Sequence, residues 1–490
     1  MKFFLGISLL CLVLASVITY KLMPEAKSKL PILYWVTDPN PARELQIDIF
    51  HKWLEKNGYP RFELRVDAAN CDASKIVVQG VSGVAGDIID YGGGNQIDFY
   101  TSVGLLEDVT DDAKKLGFGL EKTYPTIGDD ITVQGRQYVF PCNVSANLLW
   151  INKATFEKYG QPIPPSRWTV EDFEKAGKAF VEKANEGRKQ REVFFVNSIN
   201  NENLLHSLGL DYFNETLTAC VLDDRRYVKT LKLQYKWMYE DHLIPTGAEQ
   251  SSFDTQSGYG GPIFQMFNNG NYAMIGSGRY ALIQFRKFGN MNLAVTEPPH
   301  LGYPVAGIMA RSSGVYAAGK NRKLAKYFLA YLASEDYNMN IVMDADSLPP
   351  NPVFTKREEF LKPKKYPNEW GCHEMFVRAA LDIAVASSRS PFVLPTVCMR
   401  HIRFYEDQFI NDRVTADDTA RLVTIRVNEE IERSLLENPG LQPLYKEQVE
   451  IQKKIEIYRR AGKKVPSSWL SNPFHKKYYR DMGWIEEGSE

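Results

Sequence analysis

Aromatic and amide residues recur where predicted strands end and turn residues begin. Trp35 stands before Asp38 and Asn40, and Tyr91 before Asn95. Asn143, Ser145 and Asn147 lie between strand-like segments, and Tyr280 follows Gly278. These residue types suit a polyhydroxylated ligand. A sugar ring offers apolar C–H faces that an aromatic ring covers, and a belt of hydroxyls that Asn, Asp and Arg satisfy. One aromatic at a strand end is ordinarily a core residue. Several of them at strand ends point to a shared site, because ligands of open α/β sheets bind outside the carboxyl ends of the strands.

Bond-making chemistry has no comparable support. The seven His residues are scattered, and no HExxH, GxSxG or Walker sequence occurs. Gly92-Gly93-Gly94-Asn95 follows a predicted strand but lacks the Lys-Ser/Thr that would hold phosphates. Its glycines fit a loop that a ligand approaches closely. Asp111-Asp112, Asp129-Asp130 and Asp223-Asp224 fit solvated turns. After Cys11, five cysteines remain, far apart and without a CxxC. They suggest neither a disulfide framework nor a zinc site. No catalytic residue, metal or cofactor is expected.

The elements that must position these residues alternate between strand and helix. Strands are predicted at 31–36, 62–66 and 87–91, with an amphipathic helix at 43–56 carrying Leu45, Ile49, Phe50 and Trp53. The pattern resumes with strands at 137–140, 147–151, 193–197, 272–275, 292–297 and 315–318. Helices are predicted after Trp168, near 226–240 and 262–269, and at 323–333. The remainder to Glu437 reads as mostly helical. This alternation implies parallel sheets covered by helices on both faces. A last amphipathic helix is expected at 440–461, with Leu444, Ile451 and Ile455 docking on the protein's own second lobe. The Pro- and aromatic-rich segment beyond it is expected to wrap a lobe.

At 490 residues the chain exceeds a single core. A net charge of −1 gives no reason to expect nucleic acid. Lys2 precedes an uncharged apolar run from Phe3 to Tyr20, roughly 27 Å long as a helix. It reads as a signal peptide or an uncleaved membrane anchor, hence export.

Several stretches resemble the family-1 extracellular solute-binding proteins that serve ABC importers, the group of maltose-binding protein. Ile32-Leu33-Tyr34-Trp35, Gly86-Asp87-Ile88-Ile89 and Val103-Gly104-Leu105-Leu106 resemble the opening strands and turn of that family. Tyr138-Val139-Phe140-Pro141 through Trp150-Ile151-Asn152-Lys153 resembles its crossover. So do Pro164-Pro165 with Trp168-Thr169, Phe267-Asn268-Asn269-Gly270 through Ala273-Met274, and Lys320 to Leu332 with Leu348-Pro349-Pro350, for later stretches. The family's lipid-attachment motif is absent.

The resemblance implies an α/β, two-lobe periplasmic-binding-protein fold with a hinge and an interlobe cleft, plus a helical C-terminal extension. Residues 1–29 would be the signal or anchor. Lobe one would hold 30–143 and 308–358, lobe two 146–305 and 362–437, and the extension 438–490. Crossings are expected near Asn143–Ser145, Pro304–Met309 and 355–365. Trp35, Tyr91 and Tyr280 would line the cleft. Asp38, Asn95, Asn143, Ser145 and Arg311 would bond the ligand, and Arg279 and Arg311 could take an acidic sugar. The expected protein is a non-enzymatic monomer that captures a carbohydrate and hands it to ABC permease subunits, in the periplasm or tethered to the cytoplasmic membrane. The alternatives are the same fold with a non-sugar ligand, a sensor subunit, and a secreted carbohydrate-active enzyme, which would need a carboxylate pair across the cleft.

Overall fold

The computed structural model describes residues 30–40, 42–92, 97–252 and 261–486. The expected signal or anchor and Asn95 lie outside them. Among the described residues, no helix is long and apolar enough to cross a membrane.

Two sheets carry the molecule. The first contains β1 (Ile32–Val36), β2 (Glu63–Val66), β3 (Ile88–Gly92), β4 (Val139–Ala146), β9 (Ala306–Val315) and β10 (Ala384–Ala386). The second contains β5 (Leu148–Asn152), β6 (Phe194–Val196), β7 (Tyr272–Ser277) and β8 (Leu293–Thr296), in the order β8-β5-β7-β6. β1 runs parallel to both β2 and β3, as the intervening helices Ala42–Lys56 and Ala73–Val81 require. The first helix buries Phe50, Trp53 and Leu54. Phe50 meets Phe328 and Tyr331 of helix Arg322–Leu332 at 5.4 and 5.0 Å.

Two long strands differ from the sequence expectation. β4 is continuous from Val139 through Pro141 to Ala146, where a strand was expected to end at Phe140. β9 ends at Val315, where a strand was expected to begin, and starts at Ala306. Its sequence, AGIMARSSGV, is rich in small residues and lacks the branched run that marks most buried strands. Its two faces still alternate. Ala306, Ile308, Ala310 and Ser312 are buried, while Gly307, Met309 and Arg311 are not.

β9 organises the first sheet. Along one edge it pairs antiparallel with β4, from Ile308↔Ala146 to Gly314↔Val139. Along the other, Arg311 to Val315 pair antiparallel with β3, and Ala306 to Ile308 pair parallel with β10. β3 and β10 therefore run toward each other. Gly92 lies opposite Arg311 and Ala386 opposite Ile308, so Met309 and Ala310 separate their carboxyl ends.

The chain crosses between the sheets at Asn147 and again between Thr296 and Ala306, while the segments Pro352–Lys356 and Glu358–Leu361 lead on toward β10 of the first sheet. β10 falls in the stretch expected for lobe two, yet it extends the first sheet. One apolar cluster, including Val144, Ala146, Trp150, Ile308, Leu348 and Phe376, fills the region of the crossings.

Helices Pro395–Ile410 and Ala416–Glu437 share a core with Leu205, Tyr227 and Phe392. The extension begins with helix Gln442–Arg460. Leu444 leans on that core, while Ile455 packs with Val465, Tyr479 and Ile485. Gln452 and Arg459 both bond Glu215, at 2.8 and 2.6 Å.

Candidate functional site

Residues opposite each other in an antiparallel pair point to the same face. Met309 pairs with Ser145 and Arg311 with Asn143. With Gly307 they form one face of the crossing strands, at the place where the carboxyl ends of β3 and β10 meet. Met309 is 42% exposed there. Gly278, just past the end of β7, lies so close that a Cβ on it would collide with Ser145 Oγ and the Tyr280 ring. Tyr280 is partly buried against the central cluster. The hydroxyls of Ser145 and Ser277 are buried and have no hydrogen-bond partner within the protein.

A charged wall rises from β1 and β3. Asp90 accepts from Trp35 Nε1 (2.7 Å), Thr37 Oγ1 (2.6 Å) and Arg311 Nη1 (2.6 Å), and also from Ser313 Oγ. Arg43 donates to Asp38 (2.7 Å), Gln46 (2.9 Å) and Asp346 (3.2 Å). Burial would raise the Asp38 pKa, but Arg311 and Arg43 outweigh it and hold the carboxyl below its ordinary value. Arg311 retains two buried donors, Nε and Nη2, without hydrogen-bond partners in the protein. Asp38, Asp90 and Asp346 are each held by an arginine.

A cavity elsewhere was not anticipated. A cavity of about 350 Å³ opens between the start of helix Asn201–Ser207, the segment Ser387–Ser390 and helix Pro395–Ile410. Asn201, Glu202, Ser387, Arg389, Arg403 and Glu406 are among its lining residues. Arg389 pairs with Asp130 and stands 3.6 Å from Asp98. Ser387 Oγ donates to Glu202 Oε2 at 3.1 Å, while Glu202 Oε1 has no partner within the protein. Burial raises the Glu202 carboxyl pKa, and does the same to Glu406, which accepts from Asn201 and Tyr227 at 3.0 Å each. The legible signal was the polar string Ser387-Ser388-Arg389-Ser390 directly after Ala384-Val385-Ala386.

Ligand atoms of Glu202, His206 and Asp211 lie within 4.8 Å of one another. Asp211 already bonds His206 Nε2 (3.0 Å) and Asn472 Nδ2 (2.5 Å), one through each oxygen. The geometry is that of a buried hydrogen-bonded unit, not of an open metal site.

Three expected cleft residues are core residues instead. Trp35 is 0% exposed, with its ring 4.7 Å from Phe328. Tyr91 is buried beside Tyr100, and its hydroxyl donates to the Asp130 carbonyl at 3.4 Å. Both sit near strand ends, but strands covered by helices on both faces give inward side chains to the core. Arg279 is 1% exposed. It donates to the carbonyls of Ser347 (2.7 Å) and Val342 (3.1 Å) and to His373 Nδ1 (3.0 Å), over the Phe360 ring. Burial lowers its pKa to about 9. Its donors are committed to the backbone at Val342 and Ser347 and to His373. Asp38, Asn143, Ser145, Tyr280 and Arg311 remain around the crossing strands.

Known proteins share this architecture. A solute-binding protein of an ABC transporter from Thermotoga lettingae, solved with alpha-D-tagatose, superposes with a TM-score of 0.68 over 82% of this chain and 100% of its own, at 16% identity. A Listeria monocytogenes ABC substrate-binding protein in complex with cycloalternan gives 0.67 over 83% and 99%, at 17% identity. A probable sugar-binding periplasmic protein of Mesorhizobium japonicum is 31% identical over 149 residues, 29% of this chain and 33% of the relative. The chain therefore matches about a third of that relative's length. The sequence model of the bacterial extracellular solute-binding proteins matches residues 67–339, more than half of the chain, which places this protein in that family.

Proposed function

We propose that this protein captures a carbohydrate between its lobes and delivers it to an ABC-type uptake permease, without making or breaking a bond. The observation that carries the reading is the meeting of the β3 and β10 carboxyl ends at Met309, beside the face bearing Asn143, Ser145 and Arg311. Unpartnered hydroxyl and guanidinium groups suit sugar hydroxyls. The sugars bound by the related structures favour the same class. We assign Asp38, Asn143, Ser145, Tyr280 and Arg311 to the ligand, together with Asn201, Glu202 and Arg389, and Asn95 completes the expected set. A ligand that touches both lobes stabilises their closed arrangement, which the permease recognises. The protein works outside the cytoplasm as a monomer, held near the permease where the N-terminal segment is retained.

The test is thermal unfolding against maltose, tagatose, mannitol and their uronate counterparts. A ligand at a hundred times its Kd adds about 2.7 kcal/mol. Arg311 Nε and Nη2, which make no hydrogen bond within the protein, favour a carboxylate-bearing sugar, since guanidinium binds carboxylate well, although Nη2 stands 3.9 Å from Asp346. A stronger shift with uronates supports that refinement, and a stronger shift with neutral sugars removes it. No shift with any carbohydrate, in titrations reaching millimolar concentrations, overturns the reading.

A further inference from the structure

The Ser387–Ser390 segment, which forms one wall of the cavity, is held from behind by the C-terminal extension. Ser388 Oγ donates to Asn472 Oδ1 at 2.8 Å. Asn472 is fully buried, and every polar atom of its side chain is used. Its Nδ2 donates to Asp211 Oδ2 and to the carbonyls of Phe213 and Asn214, both at 3.2 Å. Its Oδ1 also accepts from the backbone N–H groups of Phe474 and His475, at the start of helix Pro473–Asp481. Asp211 in turn bonds His206, on the helix whose Asn201 and Glu202 line the same cavity. The His206 ring stacks on Phe474 at 4.1 Å, 7° from parallel.

The same helix grips a crossing. Phe474 clusters with Tyr303 and Val305, which lead into β9, and with Val385 of β10. Tyr303 donates to Asp481 at 2.6 Å. A single short stretch of the extension thus touches the wall segment, the helix facing it and the second crossing between the sheets.

We propose that Asn472 is a positioning residue for the ligand site: through Ser388 and Asp211 it fixes the Ser387–Ser390 segment, and so sets Arg389 toward Asp130. This rests on the cavity being part of the carbohydrate site. The extension is then part of the binding apparatus, though it touches no ligand.

Hydrogen exchange and calorimetric titration of the full chain test it, with Asn472→Ala and the milder Ser388→Ala. Ser388→Ala removes the hydrogen bond of the wall to Asn472, with the Ser388 contact to Asp211, and leaves the Asn472 bonds to Asp211, Phe213 and Asn214 in place. The expected result is faster exchange of amides 387–393 in both variants, on the order of tenfold. Helix Pro473–Asp481 keeps its protection in Ser388→Ala. Affinity for the sugar identified among maltose, tagatose, mannitol and the uronates weakens by a similar factor in the folded variants. A residue that merely stabilises the fold would lower the melting temperature and leave Kd unchanged, and that outcome overturns the proposal. Wild-type exchange at 387–393 in Ser388→Ala overturns it as well. Exchange is read without ligand, so if no sugar binds the wild-type protein, the carbohydrate reading falls while exchange still decides whether Asn472 fixes the wall.

Discussion

Arg389, just past β10, is paired with Asp130, and both side chains are almost completely buried. Breaking a buried pair by removing one partner costs about 3–5 kcal/mol, because the remaining charge stays out of water. Arg389→Ala is therefore expected to lower the melting temperature and to raise the radius of gyration of the ligand-free protein in small-angle scattering. An unchanged radius would show that the pair does not hold the lobes together.

Asp90, on β3, gathers five donors: Trp35, Thr37, Arg311, Ser313 and, at 3.9 Å, the Cys142 thiol. Asp90→Asn keeps the shape but removes the charge that balances Arg311. The expected loss is again about 3–5 kcal/mol in urea unfolding. Asp90→Asn combined with Arg311→Met should recover part of it, since replacing both charges by uncharged groups avoids the buried unpaired cation. A double variant no more stable than Asp90→Asn would argue against this account.

Tyr280 should separate binding from folding. It is only partly buried, beside Ser145 and Gly278. Tyr280→Ala is expected to weaken sugar affinity by roughly tenfold, in line with about 1–1.5 kcal/mol of lost ring contact. Tyr280→Phe should bind nearly as well as the wild-type protein if stacking dominates. Calorimetry on the three proteins checks both.

Acid should release the extension. Burial would raise the Glu215 pKa, yet His475, Tyr479, Gln452 and Arg459 bring it down to about 2 from 4.5. Asp211, opposed by burial but held by His206, also falls to about 2, from 3.8. Depressed carboxyl pKa values stabilise the folded state above the unfolded values, and that stability is lost as pH falls toward 2. Each group contributes on the order of 2.5–3.5 kcal/mol. Fluorescence of Trp469 and Trp484 should report undocking between pH 4.5 and 2. Glu215→Gln should remove much of the pH dependence, and an acid transition unaltered in that variant would place its cause elsewhere.

The sequence made the alternation of strands and helices legible because helices such as Ala42–Lys56 and Arg322–Leu332 carry clear apolar faces. It hid β9 and β10, whose small residues carry little propensity and are set by their neighbours. That omission concealed the cavity, because Ser387–Ser390 acquires meaning only once Ala384–Ala386 is seen to end at Ile308. Trp35 and Arg279 show the converse. Position at a strand end was readable, but the face to which each side chain points depends on which helices cover the sheet. For Asn143, Ser145 and Arg311 the shared face follows from a register that no local pattern encodes.

β9 also governs the order in which this chain can be built. β3 and β4 lie along its two edges, yet it follows them only after every strand of the second sheet. During synthesis the first sheet must wait, with both edges bare, until residues 306–315 emerge. Contacts so remote in sequence close long loops, and topologies dominated by them form slowly. The strand that floors the cleft thereby also times the moment at which the protein can fold.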